Sequence, residues 1–134
     1  MSPENVEMTR RAYEAFNRGD LESMLADFAP DFEYATTGMI PGAGGVYRGP
    51  EGWRDFTGWL RNEFERPRVE IHDLIEAGDQ VLAVVTLRGR GKQSGIEASW
   101  DVWHLWTVRK GKFVHGRGFT GGEEALEAAG LRDG

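Results

Sequence analysis

Few side chains in this chain could do chemistry. His104 lies in the run Ser99-Trp100-Asp101-Val102-Trp103-His104-Leu105-Trp106, and an imidazole, with an ordinary pKa of about 6.5, serves as general acid or base near neutrality. Tyr34 and Thr36 alternate with Glu33 and Ala35 in a shorter run, and Tyr13 lies in the first helical stretch. With His104 these hydroxyls are the polar groups of the expected pocket, although helical spacing alone assigns Tyr13, with Phe16, first to the helix-1 core. His104 and Tyr34 are therefore the candidate catalytic pair. The plainer alternative is a core histidine bonded to Tyr34 or to backbone, with no inward carboxylate to orient it. His72, His104 and His115 fall on different strands without paired ligand spacing, so no metal site is expected. Zero cysteines exclude disulfides, thiolate zinc and a cysteine nucleophile, and fit a reducing cytoplasm.

These residues need elements to hold them. Ser2-Pro3-Glu4 reads as a helix start, and Val6, Thr9, Ala12, Tyr13 and Phe16 form one stripe at helical spacing, closed by Gly19. Asp20 caps a second helix with Leu21, Met24, Leu25 and Phe28 on its buried side, stopped by Pro30. Phe32 to Thr36 alternates as a strand, and Gly38 to Gly45, with four glycines and a proline, is an irregular loop and a candidate pocket rim. Gly49-Pro50-Glu51 opens a third helix, with Trp53, Phe56, Trp59, Leu60 and Phe64 apolar, ending before Pro67. The period then changes from 3.6 to 2. Val69–Ile75, Val81–Arg90, Ile96–Val108 and Lys112–Thr120 are successive strands joined by hairpins. Glu123–Ala129 is a closing helical turn. Helices followed by a strand meander give one α+β domain over residues 1–134, its helices gathered on one face of a curved sheet.

Strand alternation sets which side chains meet. If His104 faces inward, so do Trp100, Val102 and Trp106. Val85 and Leu87 then line the interior from one neighbouring strand, and Val114, Gly116, Gly118 and Thr120 from the other. With Tyr13, Tyr34 and Thr36 this makes an aromatic, apolar pocket with a few polar groups, suited to a flat hydrophobic ligand with one or two oxygens. Trp53 and Trp59 are six apart and share no helical line, so one is expected at the pocket and the other elsewhere. Gly116 and Gly118 would keep the cavity open by withholding side chains. A shift of one residue reverses every side chain: Asp101, Arg88 and Arg117 would then form an inward charged site. Otherwise Asp101, Trp103, Leu105, Arg117 and Phe119 form an outer surface for a second copy.

Composition narrows the partners. The chain has 134 residues, 22 acidic and 16 basic, for a net charge of −6, which gives no general attraction to nucleic acid or anionic membranes. The first 30 residues hold Glu4, Glu7, Glu14 and Asp20 and no apolar run, so neither a signal peptide nor a membrane span is expected, and a soluble cytoplasmic domain is the default. Gly89-x-Gly91 and Gly42-x-Gly44 lack the following helix of a dinucleotide fingerprint, and no cofactor is expected.

The segments Tyr13–Leu21, Tyr47–Trp53, Gly89–Gly95, His104–Lys112 and Glu123–Leu131 together resemble the SnoaL-like, polyketide cyclase-like branch of the nuclear-transport-factor-2-like superfamily. The resemblance implies a cone in which three N-terminal helices pack on a curved mixed or antiparallel sheet around one apolar pocket, often paired as a homodimer through the sheet's outer face. It spans ketosteroid isomerase, polyketide cyclases, limonene epoxide hydrolase and non-catalytic binders, so the pocket residues must decide function. The isomerase's base position falls here on Thr36, its helix-1 tyrosine on Ala12 and its oxyanion aspartate on His104; all three differ. The last strand lacks the cyclase's carboxylate, and no strand carries the Arg-x-Asp spacing of the epoxide hydrolase. The expectation is a domain that binds a small hydrophobic molecule, either with isomerase, cyclase or hydrolase chemistry or as a non-catalytic module. A filled cavity would contradict both.

Overall fold

The computed structural model describes residues 3–36 and 45–131. The expected Ser2 cap and most of the expected glycine loop, Gly38 to Gly44, lie outside the described residues.

Helix α1 (Pro3–Arg18) buries Thr9, Ala12, Tyr13 and Phe16 of the expected stripe, with Met8 and Ala15 beside them, while Val6 is only half-buried. It ends in a Schellman motif: the Gly19 amide donates to the Phe16 carbonyl and the Asp20 amide to that of Ala15, with Gly19 at φ +78°. Asp20 then caps α2 (Leu21–Leu25), accepting from the Ser23 amide.

Here the structure departs from the sequence reading. Helix α2 stops at Leu25 and strand β1 (Phe28–Thr36) already starts at Phe28, whose ring packs on Phe32, Trp53 and Phe113. Pro30 does not end a helix; it lies exposed where the β1 register shifts between Phe28 and Glu33, a site that needs no ladder donor. A further short strand, β2 (Gly45–Arg48), pairs with β1 and has no clear alternation in sequence.

Helix α3 (Gly49–Glu63) buries Trp53, Phe56, Thr57 and Leu60. A side chain at Gly52 would lie 2.7 Å from the Tyr47 backbone, so glycine is what lets α3 start so close to β2. Strand β3 (Phe64–Ala77) follows without a loop. Pro67 is accommodated within it, at a register shift between Glu65 and Arg68, where Arg66 adopts φ +48°. Strands β4 (Gln80–Gly91), β5 (Glu97–Arg109) and β6 (Lys112–Phe119) complete the hairpins, the last through Lys110-Gly111, both at positive φ, as a two-residue hairpin turn requires.

The mixed six-stranded sheet runs β2-β1-β6-β5-β4-β3, with β1 and β6 parallel and the other neighbours antiparallel. The inner face, with α1, α2 and α3, carries the main core. Helix α4 (Gly122–Ala128) lies on the opposite face over Leu82, Leu105 and Phe119. Not all helices share one face, because those three apolar side chains need a cover. The same cover removes Leu105 and Phe119 from the expected outer docking surface.

Candidate functional site

The alternation of β5 places Val102 and Trp106 in the inner core, with His104 buried beside them at the inner cavity, and Trp103 and Leu105 with the outer cluster. Asp101 points outward and accepts from the Thr86 hydroxyl at 2.9 Å, so the reversed register is not the one adopted. Arg88 pairs with Glu70 across the same outer surface. One part of the expected alternation fails: a register shift between Thr107 and Val108 pairs Val108 with Phe113. Phe113, rather than Val114, therefore enters the core.

His104 is held from both sides. Its Nδ1 lies 2.7 Å from the Tyr13 hydroxyl and its Nε2 lies 2.9 Å from the Tyr34 hydroxyl. Trp106 Nε1 donates to the Tyr13 oxygen at 2.9 Å. Burial pushes the imidazole down to about 3, so His104 is neutral at ordinary pH, with one N–H and one acceptor nitrogen. Burial pushes the Tyr13 and Tyr34 phenols up, well above the usual range for Tyr34, so both keep their hydrogens.

Counting hydrogens gives the site its polarity. Four are available, on Trp106 Nε1, Tyr13 Oη, the imidazole and Tyr34 Oη, and three bonds use them. One hydrogen is therefore left over. The 2.7 Å contact has the length of an O–H donor and the 2.9 Å contact that of an N–H donor. Either imidazole tautomer satisfies the three contacts; the one that matches these lengths runs Trp106 N–H to Tyr13, Tyr13 O–H to Nδ1 and Nε2–H to Tyr34, and leaves the Tyr34 O–H without an acceptor in this network. Trp53 Nε1 is a second buried donor without a partner.

Tyr13, Tyr34, Trp53, Leu87, Val102 and His104 line one cavity of about 30 Å³. That volume takes a water-sized group, whereas a ring-sized ligand needs about 300 Å³ or more, so the interior is much fuller than the sequence reading expects. The wall is completed by Phe16, Met24, Phe56 and Leu60, which sequence reasoning assigned only to helix stripes, and by Val69, named there only as the start of a strand; the apolar spacing of the helices would have nominated the first four. No carboxylate lines the cavity among the described residues.

The other expected lining residues lie elsewhere. Trp106 is fully buried beside the cavity and acts through Tyr13, and Val85 is core. Trp59 and Trp100 pack on Phe64. Thr36 is buried with its hydroxyl unpartnered, away from the cavity lining. Thr120 is exposed beyond the end of β6. Gly116 and Gly118 are buried, pairing with Trp106 and His104 across the ladder. An added Cβ at Gly116 would lie 2.7 Å from the Trp106 ring and 3.1 Å from Tyr34, so this glycine admits those rings rather than holding a cavity open. No cluster of His, Asp and Glu among the described residues could hold a metal, and no described helix is long and apolar enough to cross a membrane.

A family model described as a SnoaL-like domain matches residues 9–116. Among solved structures, the chain is similar to TerC co-crystallised with polyporic acid (26% identity, 95% of this chain and 98% of that one covered, TM-score 0.78). It is also similar to a nuclear-transport-factor-2-like protein of unknown function from Burkholderia pseudomallei (29%, 95% and 97%, TM-score 0.79). A putative SnoaL-like polyketide cyclase from Jannaschia sp. CCS1 shares the fold at 21% identity, with 100% and 98% covered and a TM-score of 0.76. No curated protein matches.

Proposed function

We propose that this chain, which belongs to the SnoaL-like domain family, binds a flat, mainly apolar small molecule whose acceptor oxygen takes the spare Tyr34 hydrogen. The observation that carries this reading is the leftover donor at the wall of an apolar cavity, with the unpartnered Trp53 N–H on the same wall. A buried donor without an acceptor is costly, and a ketone, quinone or phenol oxygen relieves it. That TerC was co-crystallised with polyporic acid is in keeping with a small-molecule ligand in this fold.

Volume sets a condition. At about 30 Å³ the cavity admits the oxygen of such a ligand but not its ring, so binding requires wall side chains to move. Met24, on the five-residue α2, has the most adaptable side chain in the wall. To a reaction, the site offers neutral donors that favour an oxygen gaining negative charge. Among the described residues it offers no carboxylate base, and both His104 nitrogens are occupied. Binding is thus better supported than acid–base catalysis by His104.

The test compares 1-tetralone with tetralin, which has the same ring system and no oxygen, by thermal shift. Stabilisation by tetralone well beyond that by tetralin is expected; a ligand at about 100 times its Kd adds about 2.7 kcal/mol. No shift with either compound overturns the reading.

A further inference from the structure

Next to the cavity lies a separate open groove of about 630 Å³, large enough for a small organic molecule. It is lined by Arg18, Arg61, Arg66, Arg68 and Lys92, with Glu65 its one carboxylate, on a chain whose net charge is −6. Arg18 and Arg61 have an ordinary reason to be there: each ends a helix, where a cation meets the negative pole of the helix dipole. Arg18 is also paired with Asp20. Arg66, Arg68 and Lys92 come from the start of β3 and the β4–β5 hairpin, and this explanation does not reach them.

Two features set these cations apart. Seven of the described arginines form ion pairs: Arg10, Arg18, Arg48, Arg54, Arg88, Arg90 and Arg109. Of the five described arginines that form none, Arg11 lies outside this groove's lining and Arg117 lies over the Phe119 ring, while Arg61, Arg66 and Arg68 all line this one groove. Arg66 also adopts φ +48°, a strained conformation for a residue with a side chain, at the register shift where Pro67 follows. A bulge of this kind re-aims side chains.

Phe16 joins the two spaces, lining both the groove and the cavity. The Arg61 guanidinium lies over its ring at 5.0 Å and donates to its carbonyl at 3.4 Å. We infer that the groove is the anion-recognising mouth of the cavity and that the ligand is an organic anion, its ring passing Phe16 and its carboxylate or other acidic group held by Arg66, Arg68 and Lys92. This rests on the cavity reading above and names the ligand class for it.

The test compares 2-naphthoate with its neutral methyl ester, by titration against the full chain and a double variant, Arg66→Gly with Arg68→Gln. Glycine suits φ +48°, and an unchanged circular dichroism spectrum shows that the variant folds; Lys92→Gln, on the hairpin, is the fallback. Naphthoate should bind about tenfold tighter than the ester, the advantage should shrink with salt and vanish in the variant, and 1-tetralone should displace it. Equal binding of naphthoate and ester, or binding of tetralone alone, overturns the anion assignment and leaves the cavity reading in place. Naphthoate binding that tetralone does not displace overturns the link between groove and cavity. If none of the three compounds binds, both readings fall.

Discussion

His104 shows how much one side chain depends on its neighbours. Its inward direction was legible from the alternation of Trp100, Val102 and Trp106, and its bond to Tyr34 is the one the plainer core-histidine reading expects, but the other side of the clamp comes from Tyr13, 91 positions away, which spacing along a strand cannot show. The clamp has a pH consequence. In the unfolded chain an imidazole protonates near about 6.5, while in the folded chain burial holds His104 down to about 3. The unfolded state binds the extra proton between these values, so this contribution to stability is complete above pH 6.5 and lost as pH falls. About 2 kcal/mol should disappear between pH 7 and pH 5, mostly above the carboxylate range. Urea unfolding across this window checks it: the wild-type midpoint should fall and that of His104→Gln should stay nearly level.

At the scale of elements, α1, α3 and the hairpin meander were legible because their apolar stripes and turn glycines agree with the fold they adopt. The junction after α2 was not. Leu21, Met24, Leu25 and Phe28 keep helical spacing, yet Phe28 leaves the helix to join an aromatic cluster with Phe32, Trp53 and Phe113, and tertiary packing overrides the local pattern. Glycines separate by the same logic. Gly116→Ala forces a Cβ to within 2.7 Å of Trp106 and should destabilise by about 1–3 kcal/mol. Gly58→Ala, exposed in α3 with open space around its Cβ, should stabilise by about 0.5–1 kcal/mol. Paired denaturation curves distinguish the two; equal effects would mean that ring packing at Gly116 is not tight.

For the molecule as a whole, the layered α+β order follows from the change of period along the chain, and the family resemblance rests on segments spread over most of it. Two whole-molecule properties were not legible. The cavity volume is a small remainder of many packed side chains, and no pattern of types fixes it. The cover of α4 over Leu82, Leu105 and Phe119 depends on where the last helix returns. The homodimer that the family resemblance implies would have to use the part of the outer face that α4 leaves open, where His72, Thr86 and Asp101 form one hydrogen-bonded row. Light scattering should give twice the 15.0 kDa of one chain, and Asp101→Arg should return the single-chain mass.

The central claim is that the hydrogen left over on Tyr34 holds the ligand's oxygen. Calorimetric titration of 1-tetralone into wild type and Tyr34→Phe tests it most directly, because the change removes that hydroxyl and leaves the ring. Tyr34→Phe should bind tetralone more weakly by about 1 kcal/mol, or roughly fivefold, with tetralin unchanged. Equal affinity of the two proteins for tetralone would contradict the claim.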